Sequence, residues 1–288
     1  NQKFKLIILN DLRRQINPHY DIPAYFQIKD VLRDLKPDIV HTHSAKAGIL
    51  GRYAAYNIRR KPPGSSWGFK PKIVHGVHGL AFHPYQGAML NKFYITVEKA
   101  AAKRTDFFIS VADAMTNQSL AAGIGSPDKY ATAYSAIDED DFLQPISDAN
   151  KNQFRQKHLI PEDSIVLVTI ARLFHLKGHE FIIESAKTLA EQFPRVIWLF
   201  VGDGILADKY KTWIDSIGLG HRFRFTGLLP PQMIPTVLQS SDILVHCSLR
   251  EGLARTLPQA MLCGKPAVCF DLDGAKEVVN ENTGRLIE

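Results

Sequence analysis

Short apolar runs alternate with longer segments of helical periodicity along nearly the whole chain. In the first half, FKLIILN, DIVHTH, KIVHGVHG, DFFISVA and KYATAYSAI read as strands. In the second half the corresponding runs are IVLVTIA, VIWLFVGD, FRFTG, DILVHCS and AVCFDL. Between them lie helix-like stretches such as 22–35, 45–58, 89–103, 179–192 and 231–239. Strands that are apolar on both faces and separated by helices predict parallel sheets covered on both sides.

The rhythm breaks once, from Asp138 to about Asp163, in a polar stretch carrying Pro145 and Pro161. This stretch reads as a linker followed by a short helix over 152–158. The pattern therefore predicts an α/β chain of two Rossmann-like, doubly wound domains, 1–145 and 146–288. Their ligand cleft is expected at the carboxyl ends of the strands. Residues 61–72 (KPPGSSWGFKPK) read as a mobile Pro/Gly-rich loop.

Composition narrows the class. No run of about 18 apolar residues is present, so a transmembrane helix is not expected. Cys247, Cys263 and Cys269 show no C-x-x-C spacing and read as reduced, mostly buried small hydrophobes of a cytoplasmic protein. The first residue is Asn1 and no signal peptide is seen, so the sequence reads as a piece of a longer chain. Of the net charge of +6, all lies in residues 1–145, which hold 19 Lys and Arg against 13 Asp and Glu. Nucleic acid is not the expected partner, because no basic run interleaves with aromatics. An anionic membrane surface, a phosphate-bearing substrate and a merely solvated basic surface all fit this excess.

Candidate chemistry gathers at the ends of the second-half strands. Arg172 and Lys177 straddle a turn into a helix that begins near Gly178. Unsatisfied N–H groups at a helix N-terminus suit an anion, Arg binds two phosphate oxygens at once, and Lys acts as a movable point charge. Gly202 and Gly204 end the next strand, and Gly227-Leu228 the one after; glycine there permits close backbone approach of a ligand. The last corner, SLREGLARTLPQAMLCGKP, opens a helix with Thr256 as its expected cap, Pro258 in its first turn and Gly264 after its end. Its loop Glu251-Gly252-Leu253-Ala254-Arg255 is expected to present N–H groups to the same ligand. Glu251 repels phosphate and suits the hydroxyl groups of a sugar.

Together, Ala171 to Gly178, the Val-Gly-Asp-Gly corner and Glu251 to Gly264 resemble the retaining glycosyltransferases of family 4, which have the GT-B fold. Asp38-Ile-Val-His-Thr-His-Ser-Ala-Lys-Ala-Gly and His75-Gly-Val-His-Gly resemble acceptor-domain strands of bacterial polysaccharide enzymes in that family. The resemblance implies transfer of a sugar from a UDP- or GDP-sugar to a hydroxyl acceptor in polysaccharide, lipopolysaccharide or glycolipid synthesis, without a metal or other cofactor. It implies Arg172 and Lys177 on the diphosphate, Glu251 on the donor sugar, and His78 near the transferred sugar. The first domain would take the acceptor, saccharide or lipid-linked, and the second the nucleotide sugar.

The family's second acid, which holds the ribose hydroxyls, falls at Gln259. Glutamine keeps a carbonyl acceptor but loses charge assistance, so nucleotide binding is expected to be retuned and the reacting centre untouched. Two other readings stay open: a sugar-nucleotide epimerase of the same fold, and a non-catalytic nucleotide-sugar-binding protein. His75, His78 and His83 are not expected to bind metal, because strand alternation separates 75 from 78. The DED run at 138–140 reads as a solvated turn. No counterpart of the family's opening strand and glycine-rich loop, or of its closing helices, is found. The sequence therefore reads as truncated at both ends, with activity expected of the parent chain more than of the fragment. A basic helix, 89–104, carrying Lys92, Lys99, Lys103 and Arg104 beside Phe93 and Tyr94, fits peripheral attachment at the inner membrane surface; the competing reading buries both aromatics.

Overall fold

The computed structural model describes residues 4–62 and 69–288. It divides into two compact units, residues 1–134 and 135–288. Of the loop 61–72, residues 63–68 lie outside the described residues.

The first unit runs α1 (Pro18–Leu35), β1 (Ile39–His43), α2 (Ala45–Arg59), β2 (Lys72–Val77), α3 (Ala88–Ala102), β3 (Phe107–Ser110), α4 (Asp113–Ala121) and β4 (Tyr130–Thr132). Its strands form one parallel sheet in sequence order. Helix α1 begins where the Asn17 side chain accepts the His19 N–H and Pro18 occupies the first turn. It ends at Lys36, whose φ of 44° turns the chain out of the helix. Ala54, Ala55 and Ile58 of α2 pack with Val40 and Ile73 of the sheet as an apolar core.

The second unit contains α5 (Asp140–Leu143), α6 (Asp148–Lys157), β5 (Ile165–Ile170), α7 (His179–Gln192), β6 (Val196–Val201), α8 (Ala207–Ser216), β7 (Phe223–Gly227), α9 (Ile234–Gln239), β8 (Ile243–His246), α10 (Thr256–Leu262), β9 (Ala267–Phe270) and β10 (Gly284–Ile287). All six strands pair in parallel, in the order β10-β9-β8-β5-β6-β7. Every residue of β6 is buried. Leu199 and Val201 face one core with Val166, Val168 and Leu244, while Trp198 and Phe200 face another with Ile182, Ile183 and Phe223. Two apolar faces explain why these strands read as continuous hydrophobic runs.

Three expectations need correction. FKLIILN is not a strand: residues 4–9 have no ladder, and Phe4, Leu6 and Ile8 are largely exposed. An apolar run makes a strand only when a neighbour pairs its N–H and C=O groups, and here the sheet begins at β1. The stretch 138–163 is folded onto the second unit, because Phe142, Phe154 and Ile160 are buried in its core. The expected helix 152–158 starts earlier, at Asp148, where Ser147 accepts the Asn150 N–H. Strand β10 escaped notice; four residues carrying an exposed Arg285 give too short an apolar run.

Candidate active site

Strand order dictates where a ligand can sit. The chain leaves β5 towards β6 and β7, then returns to place β8 on the other side of β5. Loops leaving the carboxyl ends of β5 and β8 therefore diverge, and the crevice between such loops is the usual ligand position in a doubly wound sheet.

The β5 loop, 171–178, is held by both neighbours. Leu173 donates its N–H to the carbonyl of Asp203, and Leu206 donates back to Leu173. On the other side Leu249 N–H donates to the carbonyl of Leu176. Gly178 begins α7 with φ of 74°, and a Cβ there would collide with the carbonyl of Cys247. Both facts demand glycine, so α7 starts pressed against the end of β8. The resulting loop exposes Arg172, whose guanidinium lies 5.6 Å from the Phe174 ring centroid.

Lys177 and Glu251 meet across this crevice in an ion pair between half-buried side chains. Ser248 Oγ donates to the same carboxylate oxygen of Glu251 at 3.0 Å. Asp273 Oδ2 accepts the Glu251 N–H at 2.8 Å, and Gly274 donates to the carbonyl of Gly252. Beneath the pair lie two buried imidazoles, His179 at the start of α7 and His246 at the end of β8. Burial pushes His179 down to about 4 against the attraction of Glu180, with His246 and Lys177 adding to the effect. Burial likewise pushes His246 down to about 4, opposed by Glu251 and assisted by Lys177. Both rings are neutral at pH 7, so the floor of the crevice adds no charge to the Lys177–Glu251 pair.

Other anticipated residues fall nearby in different roles. Cβ atoms at Gly202 and Gly204 would strike the carbonyls of Ala171 and Leu173, so these glycines make room for the β5 loop itself. Gly227 has φ of 69° and open space where a Cβ would stand, and Leu228 beside it is 80% exposed. Thr256 does not cap α10: Arg255 holds the cap position without a side-chain bond, and the Thr256 hydroxyl is buried without a partner. The cap fails because Arg255 is already helical, at φ −60° and ψ −25°. Of the expected loop N–H donors, that of Glu251 is taken by Asp273. Gly252 and Ala254 are buried, Leu253 is half-buried, and exposed Arg255 donates to the carbonyl of Ala136. Gln259 stands half-buried in α10, its N–H bonded to the Arg255 carbonyl. Ser248, Asp273, His179 and His246 were not anticipated. Asp273 carried one signal, the Asp-Gly turn, and it does adopt φ of 54°.

In the first unit, His78 follows β2 directly, and its Nε2 lies 2.8 Å from His43 Nδ1. His75 is instead buried, bonded through Nδ1 to Thr42 Oγ1 at 2.9 Å and pushed down to about 3 by burial and by Arg52. A cavity of about 180 Å³, lined among others by His75, His78, Glu98, Ser119 and Tyr130, opens beneath the loop after β2. Fully buried Arg52 donates to Glu98 at 2.7 Å beside it. Among the described residues, no group of three or more His, Cys, Asp or Glu is arranged to hold a metal ion.

Two family models divide the chain between them. Residues 7–141 match "Glycosyltransferase Family 4", and residues 150–288 match "Glycosyl transferases group 1". The UDP-Gal:alpha-D-GlcNAc-diphosphoundecaprenol alpha-1,3-galactosyltransferase of Escherichia coli is 30% identical over 282 residues, covering 96% of this chain and 69% of that one. The chain belongs to glycosyltransferase family 4. EpsD of Bacillus subtilis (strain 168) is 28% identical, covering 100% of the chain and 72% of its own length. The family 4 chain thus spans about seven tenths of these relatives. Its fold matches that of Anabaena Alr3699/HepE in complex with UDP-glucose, with a TM-score of 0.77, 22% identity, and 94% and 70% of the two chains covered. WaaG, a glycosyltransferase involved in lipopolysaccharide biosynthesis, matches with a TM-score of 0.73 at 17% identity over 96% and 71%. The architecture is therefore GT-B, and the chain is a glycosyltransferase.

Proposed function

We propose that this family 4 enzyme moves a hexose from a UDP- or GDP-sugar to a hydroxyl acceptor, keeping the anomeric configuration, in polysaccharide or lipopolysaccharide synthesis. One observation carries the reading: Lys177 on the β5 loop, which also carries exposed Arg172, pairs with Glu251 on the β8 loop at the strand-order switch. Arg172 and Lys177 take the diphosphate, and Glu251 takes sugar hydroxyls. As the anion enters, Lys177 turns to it and releases the Glu251 carboxylate to accept hydrogen bonds from the sugar. Ser248 and Asp273 keep that carboxylate and its backbone in place through the exchange.

Charge grows on the diphosphate as the bond to the anomeric carbon breaks, and the two cations stabilise it where it develops. The departing phosphate oxygen takes the acceptor's proton on the same face, which gives retention without a covalent intermediate. Gly227, Leu228 and the loop 252–255 are assigned to the nucleotide and sugar, and Gln259 to the ribose hydroxyls. His78 is the residue of the first unit assigned to the transferred sugar. No metal enters this scheme.

A uridine donor is favoured by the E. coli relative, which uses UDP-Gal, and by the HepE complexes with UDP and UDP-glucose. The same relative supports a lipid-linked acceptor, since its name specifies a diphosphoundecaprenol. Peripheral attachment fits such an acceptor, and among the described residues no helix is long and apolar enough to cross a membrane. Labelled UDP- and GDP-hexoses incubated with the full-length enzyme and a lipid extract test the whole reading. Label in an acceptor product supports it. An interconverted sugar nucleotide without acceptor indicates an epimerase, and an unchanged donor that stays bound indicates a sensor.

A further inference from the structure

His43 ends β1 and His78 follows β2, and the register pairs His43 with Gly76, two residues before His78. The His43 ring lies over that glycine: a Cβ at Gly76 would stand 2.5 Å from His43 Nδ1 and 2.8 Å from its Cε1. Lying there, the ring reaches across the strand end to place Nδ1 2.8 Å from His78 Nε2. His41 backs it from the other side, with ring centroids 4.2 Å apart.

We propose that His43 is a positioning residue for His78, fixing the rotamer and tautomer in which His78 presents its Nδ1 to the sugar. This rests on the assignment of His78 given above. The physical reason is the proton count of an imidazole pair. A bond between two ring nitrogens needs a proton on one and a lone pair on the other, and each neutral ring has one of each. If His43 Nδ1 donates, His78 Nε2 carries the lone pair and His78 Nδ1 must carry the proton. If His78 Nε2 donates, Nδ1 becomes the acceptor. Either way the bond, not the free ring, decides what Nδ1 offers, as outer partners do for histidines that bind ligands. Burial lowers the affinity of His43 for a proton, and the neighbouring His41 and His78 lower it further, which favours the neutral form of His43. Gly76 is the permissive element, because any side chain there lifts His43 away.

Long-range ¹H–¹⁵N correlation of the histidine rings in the whole chain, at alkaline pH, reads the tautomer of His78 directly. A single tautomer in the wild type, a mixture in His43→Ala and in Gly76→Ala, and a single tautomer again in His43→Asn are expected. Asparagine places an amide near the position of the histidine Nδ1 and so restores the bond. A His78 tautomer indifferent to His43→Ala overturns the proposal. Turnover of the full-length enzyme tests the underlying assignment separately: His78→Ala should abolish transfer, and His43→Ala should lower kcat about tenfold with donor KM little changed. Unchanged turnover in His78→Ala would refute the role of His78 in transfer, whatever the spectra show.

Discussion

Lys177 and Glu251, 74 residues apart in sequence, form an ion pair that joins the loop after β5 to the loop after β8. Neither loop produces this contact alone. It needs β8 to return beside β5, Gly178 to let α7 start against Cys247, and Asp273 to hold the Glu251 backbone. The pair neutralises Glu251, while Arg172 on the same loop as Lys177 stays exposed. In the proposed scheme an incoming diphosphate meets positive charge first, and the carboxylate is freed only when the anion claims Lys177.

Gln259→Glu restores the second acid of the family motif on α10. The added charge strengthens hydrogen bonds from ribose hydroxyls, roughly doubling them. Donor KM should fall, with turnover at saturating donor unchanged. A large change in that turnover would show that Gln259 does more than hold ribose.

Acid should weaken the fold through its buried imidazoles. His75 is pushed down to about 3, and His179 and His246 to about 4, from an ordinary value of 6.5. Below about pH 6.5 the unfolded chain takes up protons that the folded chain refuses, so stability rises with pH across this window and is lost as pH falls through it. Each histidine contributes up to about 1.4 kcal/mol per pH unit. Thermal midpoints should drop between neutral pH and about pH 5. Replacing His179 with phenylalanine should flatten that dependence. A midpoint equal or higher at the acid end would contradict the neutral-core account.

Arg52 has no exposed surface, and its partner Glu98 is nearly buried. Removing one member of such a pair strands the other's charge, at a cost of about 3–5 kcal/mol. Arg52→Ala should therefore lower the urea midpoint of the first unit sharply. Arg52→Met combined with Glu98→Leu should recover most of it. An Arg52→Ala midpoint equal to wild type would mean the pair does not hold that unit together.

The exposed side of α3 bears on membrane attachment. Met89 is 89% exposed and Phe93 50%, and Lys92, Lys99 and Lys103 lie on the same side. Phe93 is thus not a core residue, whereas Tyr94 is partly buried. One expected cation is occupied elsewhere: Arg104 lies 4.3 Å from the Tyr53 ring centroid. Three lysines at about 1 kcal/mol each, with an apolar tip, suffice for reversible, salt-sensitive binding. Sedimentation with anionic vesicles should capture the chain at low salt and release it at high salt. A chain that stays in the supernatant at low salt would point to a soluble acceptor.

Much of this was legible in the sequence, for a definite reason. Strands apolar on both faces and separated by helices leave few arrangements, and nine of the ten strand runs named became strands, FKLIILN being the exception. The loop positions of Arg172, Lys177 and Glu251 were legible because each lies between a strand run and the helix that follows it. Ser248, Asp273 and His246 were not, because their roles depend on which loops the sheet order brings together. The glycines at 202 and 204 misled for the same reason: what fills the space above them is the neighbouring loop. His43 was not legible, since its link to His78 joins the ends of two different strands.

Calorimetric titration of the chain with UDP and GDP tests the central claim most directly, that the corner between β5 and β8 holds the diphosphate of a nucleotide sugar. The wild type should bind one of the two nucleotides. Arg172→Ala and Lys177→Ala should each weaken that binding by about 1.5–3 kcal/mol, roughly ten- to hundredfold. A wild type that binds neither nucleotide, or variants that bind as tightly as the wild type, would contradict it.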